Sequence, residues 1–146
     1  MRKNEKKQKY LQSYQAAKEE EKIIEEMLKE LEENIHPKAI VYDNMPKGSA
    51  EKHDLSDYMI RYEKLMSKLE KKRVEKNKIQ IEIVEKINDM KAGPRETERQ
   101  LVQDKTVLYM RYIQGMRWEE IMEAIGYEWT QVHRIHGRAL NNIIVE

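Results

Sequence analysis

The chain of 146 residues contains no cysteine and no phenylalanine. Without cysteine there can be neither a disulfide framework nor a thiolate metal site. Glycine (5) and proline (3) are scarce, too few for the turns of a β-sandwich. No apolar run approaches the roughly 18 residues of a membrane-spanning helix, so no membrane partner is expected. The basic start, Met1 to Lys7, has no apolar stretch behind it and does not read as a signal peptide. A cytoplasmic location, in a bacterial host, is expected. A dominant charge sign is missing too: the net charge is +1. Residues 1–36 carry a net −1, residues 37–94 a net +3 and residues 95–146 a net −1. No segment has the basic surplus typical of a nucleic-acid binder, so any such function must rest on local placement.

Charge of both signs is abundant, at 38% of residues against about 25% in typical chains. Glu, Lys, Ile, Leu and Met without many breakers read as helix. In residues 5–35, Tyr14, Ala17, Glu21, Ile24, Leu28, Leu31 and Ile35 recur at steps of three and four. This is a narrow seam of the coiled-coil kind, widened by Ile23 and Met27. Pro37 ends the helix. Residues 36–54 form a connector with two Pro, one Gly and apolar Ile40, Val41, Tyr42 and Met45. A short extended stretch fits at 39–42.

A second long helix is expected from an Asp54 N-cap to about Met90. Leu55, Met59, Tyr62, Leu65, Met66 and Leu69 mark one stripe. Ile79, Ile81, Ile83, Val84, Ile87 and Met90 mark another, beyond the lysine-rich stretch 70–78. That lysine cluster suits a solvated face or a phosphate contact. The two helices should fold back on each other. Ala92-Gly93-Pro94 is the strongest punctuation, dividing 1–93 from 94–146.

After Pro94 the texture changes. A helix at about 95–114 turns Leu101, Leu108, Tyr112 and Ile113 inward. Gly115 is followed by a short helix, Trp118–Ile125. Gly126 suits a left-handed cap, and a last helix runs from Trp129 to about Ile144. Its inner stripe is Val132, Ile135, Ala139, Leu140 and Ile143; its other face shows Thr130, Gln131, His133, Arg134 and Arg138. A short helix, a glycine-led turn and a longer helix with a polar outer face form a helix-turn-helix pattern. The major groove admits one helix whose outer side chains donate and accept. No acidic residue stands between Trp129 and Asn142, which suits a surface near phosphates.

The stretch Glu98–Leu140 resembles region 4 of sigma-70 factors, and more closely phage-encoded late transcriptional regulators of the ArpU and RinA type. The resemblance is carried by Val107–Gly115, Trp118–Ile121, Ile125-Gly126-Tyr127 and Gln131–Leu140, with Asn44–Ser49 and Asp54 of the connector adding to it. Glu128 stands where the family usually has Ser or Thr as N-cap, and Met122 where it has a small residue. The resemblance implies double-stranded DNA as partner, with Trp129, Thr130, Gln131 and Arg134 facing bases. It places His133 and Arg138 on the DNA backbone, with Arg117 and Trp118 meeting phosphate at the start of the bracing helix. It also implies contact with RNA polymerase.

The fold expected is all-α: a long antiparallel helical hairpin, coiled-coil-like, followed by a C-terminal helix-turn-helix domain. The function expected is sequence-specific regulation of transcription, phage- or prophage-encoded. The rivals are a DNA-packaging recognition subunit and a coiled-coil adaptor without DNA binding. No catalysis, cofactor or metal is expected. His133 and His136 are spaced for a metal but lack companion ligands, and no nucleophile–base set or phosphate loop is present. Helix lengths at about 1.5 Å per residue leave Ile79–Met90 beyond the first helix, so the C-terminal domain is expected to cover some of that stripe and a second copy, in a homodimer, the rest.

Overall fold

The computed structural model describes residues 2–35 and 49–145; the expected extended stretch at 39–42 lies outside them. The elements among the described residues are all helical: α1 (Arg2–Ile35), α2 (Ser49–Asn88), α3 (Glu98–Leu108), a π-helical turn (Tyr109–Ile113), α4 (Trp118–Ile125) and α5 (Trp129–Asn142), with short non-helical stretches between the α-helices from α2 onward. No described helix is long and apolar enough to cross a membrane. Two expected starts are corrected. α2 begins at Ser49, so Asp54 lies inside it and is no N-cap. α3 begins at Glu98 rather than near residue 95, because Thr97 caps it. Thr97 Oγ1 accepts from the Gln100 N–H at 3.1 Å, and Gln100 Oε1 accepts from the Thr97 N–H at 2.9 Å. This reciprocal pair satisfies two donors that a helix start leaves free.

The contacts divide the chain into two compact units, one of Ala17–Glu75 and one made of the residues up to Ala16 with those from Lys76 on. The units part there, not at Ala92-Gly93-Pro94. In the 17–75 unit the two helices run in opposite directions. Glu20 pairs with Lys72 at 2.8 Å and Glu21 with Arg73 at 3.6 Å, while Glu32 accepts from Tyr62 Oη at 3.0 Å. Ala17, Glu21, Leu28 and Leu69 are buried along the seam, with Ile24, Leu31, Tyr62 and Leu65 half-buried. Ile23, Met27, Leu55, Met59, Ile60, Met66 and Val74 are exposed. Several residues expected to line the seam thus face water, because two helices alone cover only a narrow strip of each other.

In the other unit Leu11 and Tyr14 of α1 meet Ile83 and Ile87 of α2 and Met90 just beyond its end. Leu101, Leu108, Tyr112, Ile113, Ala139, Leu140 and Ile143 close the same core. This overturns the expected overhang of Ile79–Met90. α1 starts at Arg2 and its apolar seam extends N-terminally to Leu11, three residues before Tyr14, so it reaches the second stripe. Helix ends are tied down polar group by polar group. Lys105 Nζ donates to the Asn88 carbonyl ending α2 (3.0 Å), and Lys7 Nζ to the Leu140 carbonyl in the last turn of α5 (2.9 Å). Such carbonyls have no partner inside their own helix.

Candidate nucleic-acid interface

The end of α3 widens into the π-helical turn, where the Gln114 N–H reaches back to the Tyr109 carbonyl at 3.0 Å. A π turn leaves carbonyls unpaired. Gln15 of α1 meets two of them, its Nε2 donating to Tyr112 (3.1 Å) and Ile113 (3.0 Å). Gly115 follows at φ +69°, where a side chain would meet Gln15 as well as strain the backbone. Arg111 in the turn donates to the Met116 carbonyl at 2.9 Å and lays its guanidinium 4.5 Å from the Trp118 ring, a cation–π distance.

α4 ends at Gly126, whose φ of 73° is the left-handed cap expected of it. Tyr127 Oη accepts from Gln103 Nε2 at 2.8 Å, fastening the turn to α3. Glu128 leads into α5, and its N–H donates to Gln131 Oε1 at 3.2 Å. Gln131 thereby satisfies the backbone N–H of the N-cap residue, a different donor from the first-turn N–H groups that an N-cap side chain serves. Val132 and Ile135 of α5 pack with Val107 and Ile121 into a second apolar cluster, while Ala139, Leu140 and Ile143 enter the first. The inner face of α5 is thus fixed against α3 and α4.

The residues assigned to bases, Trp129, Thr130, Gln131 and Arg134, are all exposed on α5. Those assigned to the DNA backbone fare differently. Arg138 is turned inward: its Nη2 lies 2.7 Å and its Nε 2.8 Å from Oδ1 of the fully buried Asp104. Burial nevertheless pushes the Asp104 carboxyl up, more than the Arg138 guanidinium pulls it down. His133 lies between two indoles, 3.8 Å from Trp129 and 4.5 Å from Trp118 between ring centroids. Burial, helped by the Arg111 charge, lowers its pKa. Trp118 is half-buried against the second apolar cluster. Arg117 stays exposed, but its N–H donates to Glu120 Oε1 at 2.9 Å. That bond, with the guanidinium 3.4 Å away, holds the Glu120 carboxyl below its usual range. A phosphate at the start of α4 would meet that carboxylate, so of the four backbone assignments only the Arg117 side chain itself is presented outward.

His136 does not join His133 in a metal site. Its Nε2 lies 2.7 Å from Tyr112 Oη, and the two imidazoles stand 6.5 Å apart and nearly perpendicular. Burial drives the His136 pKa down to about 4 and the Tyr112 phenol up to about 12. Both are neutral near pH 7 and suited to a buried hydrogen bond. Among the described residues no group of three His, Cys, Asp or Glu could hold a metal ion.

Four residues of consequence escaped sequence reasoning: Gln15, Asp104, Arg111 and Tyr112 as the partner of His136. Asp104 carried a signal, being a carboxylate at core spacing between Leu101 and Leu108. Gln15 carried none, since its targets lie 97 and 98 residues away. No protein-family model, no curated protein and no solved structure matched the chain in comparison.

Proposed function

We propose that the protein is a sequence-specific double-stranded-DNA-binding regulator of transcription. In this reading α4, the Gly126 turn and α5 act as a helix-turn-helix of the sigma region-4 kind, like that of the phage late regulators it resembles. α5 enters the major groove, with Trp129, Thr130, Gln131 and Arg134 toward base edges and Arg117 toward the backbone. Region 4 of sigma factors also touches RNA polymerase, which is proposed as a second partner. The long helices serve as a hairpin scaffold, and a homodimer would set two copies of α5 on one duplex.

One observation carries the reading. α5 has an inner face locked into two apolar clusters, an N-terminal half whose outer side exposes Trp129, Thr130, Gln131 and Arg134, and no acidic residue anywhere along it. Any amphipathic surface helix has a polar outer face; what supports the reading is that this one carries no carboxylate to repel phosphates. The dimer is supported by the exposed Ile23, Met27, Leu55, Met59, Ile60 and Met66, an apolar surplus at which a second copy could pack.

The test is selection of bound duplexes from a random pool, followed by titration in rising salt. The proposal expects a common sequence motif and an affinity that falls with salt. Recovery of no motif, with no salt-dependent binding, would leave the adaptor reading in its place. Sedimentation at micromolar concentration distinguishes a dimer from a 17.6 kDa monomer and from the ring that a packaging subunit would form.

A further inference from the structure

We propose that Trp129 reads the 5-methyl group of a pyrimidine, thymine in ordinary DNA, at one position of the bound site. The inference rests on the DNA-binding reading above and names the chemistry of one contact within it.

Trp129 is the first residue of α5 and is 54% exposed. It belongs to neither apolar cluster, so its indole does not fill the core. Nor is it loose. His133, one turn on, packs 3.8 Å from it, Trp118 packs 4.5 Å from His133, and the Arg111 guanidinium lies 4.5 Å from Trp118. The four side chains form a stack built from α5, α4 and the π-helical turn. Its inner members are committed to packing: His133 Nε2 is buried with no hydrogen-bond partner. A large aromatic ring already packed along one side has lost part of the rotamer freedom that binding would otherwise cost.

What the ring can recognise follows from its place and its chemistry. The N-terminal residues of a recognition helix are those that reach base edges. Around Trp129 the exposed residues Thr130, Gln131 and Arg134 are donors and acceptors. Trp129 is the one large apolar surface at this end of α5. Along the major-groove edges of a duplex the one apolar group is the methyl at C5 of thymine. Stacking on an extruded base would instead require breaking the duplex stack, at a cost on the order of a hundred-fold in affinity.

The experiment uses the full chain and the duplex recovered from the random pool. Each thymine is replaced in turn by deoxyuridine, which removes only the methyl group. The inference expects one thymine per half-site at which this weakens binding about four-fold, the loss that corresponds to one buried methyl group. Trp129→Ala should bind the thymine duplex more weakly and show no further loss at that position, so the two changes fail to add. The variant should still unfold in one cooperative thermal transition, since the ring belongs to neither apolar cluster. If every deoxyuridine duplex binds as the thymine duplex does, or if Trp129→Ala keeps the same four-fold loss, the inference is overturned while DNA binding stands. If no duplex is recovered at all, both fall.

Discussion

The two compact units are built from the same two long helices, yet they bury apolar side chains to very different degrees. From Lys76 on, together with the first 16 residues, Leu11, Ile83, Val107, Leu108, Tyr112, Ile121, Val132 and Ile143 are shut off from water. Among the described residues of Ala17–Glu75, Ala17, Leu28 and Leu69 are the buried apolar ones, and more large apolar side chains are exposed than enclosed. The difference is one of layers. Where α3 and α5 pack on the long helices, and α4 packs in turn on α3 and α5, each apolar stripe meets surfaces from several sides. Where two helices meet alone, only the innermost strip is covered. The many-layered unit is the one that holds α5 rigidly, which a reading helix requires. The two-helix unit is the one with apolar surface left over for a partner.

The sharpest break in this comparison comes from the buried ion pair. Arg138→Ala would strand Asp104, which is fully buried. Removing one partner of a buried pair costs about 3–5 kcal/mol. The loss should shrink toward acid pH, because Asp104, already pushed up by burial, then takes a proton. Urea unfolding at pH 5 and pH 7.5 measures both effects. Replacing both residues, Asp104→Leu with Arg138→Met, should recover most of the stability.

Next in size is cavity formation. Leu108→Ala, in the many-layered core, should destabilise by about 3 kcal/mol. Met27→Ala, exposed in the two-helix unit, should stay within about 0.5 kcal/mol. Equal effects in the same unfolding assay would break the contrast between the units.

The pH dependence of stability follows from His136. Its pKa in the folded state is about 4, against 6.5 ordinarily, so between those values the unfolded chain binds more protons than the folded one. Stability from this group is complete above about pH 6.5 and is lost as the pH falls toward 4, on the order of 2–3 kcal/mol. His133, also lowered, adds in the same direction, and Asp104, raised, works against it. His136→Gln keeps an acceptor for Tyr112 but cannot titrate, so it should flatten much of the slope in thermal melts across that range.

Much of this architecture could be read from the residues. The breaks at Gly93-Pro94 and Gly126, and the three- and four-residue spacing of Val132, Ile135 and Ala139, located the C-terminal helices to within a few residues. Those features are local, set by backbone geometry and by amphipathic periodicity. The π-helical turn was not legible, because it depends on Gln15 supplying donors from far along the chain. The inward turn of Arg138 was missed for a similar reason. Its position on α5 suits either face, and only the buried Asp104 decides between them. His133 reads as an outward polar residue by spacing, but the flanking Trp118 and Trp129 enclose it. The cover that C-terminal residues give Ile83 and Ile87 was expected; the part that α1 supplies was missed by starting the apolar seam at Tyr14 instead of Leu11.

The measurement that bears most directly on the proposed function compares two exposed arginines, one in each unit. Arg134 lies on the outer face of α5 and Arg61 on α2 in the two-helix unit. Affinity for the selected duplex is measured by fluorescence anisotropy at fixed salt for the parent chain, Arg134→Ala and Arg61→Ala. If α5 reads the groove, Arg134→Ala weakens binding by about 1–3 kcal/mol and relaxes preference at one base pair, while Arg61→Ala binds as the parent does. Equal affinities for Arg134→Ala and the parent would contradict the account.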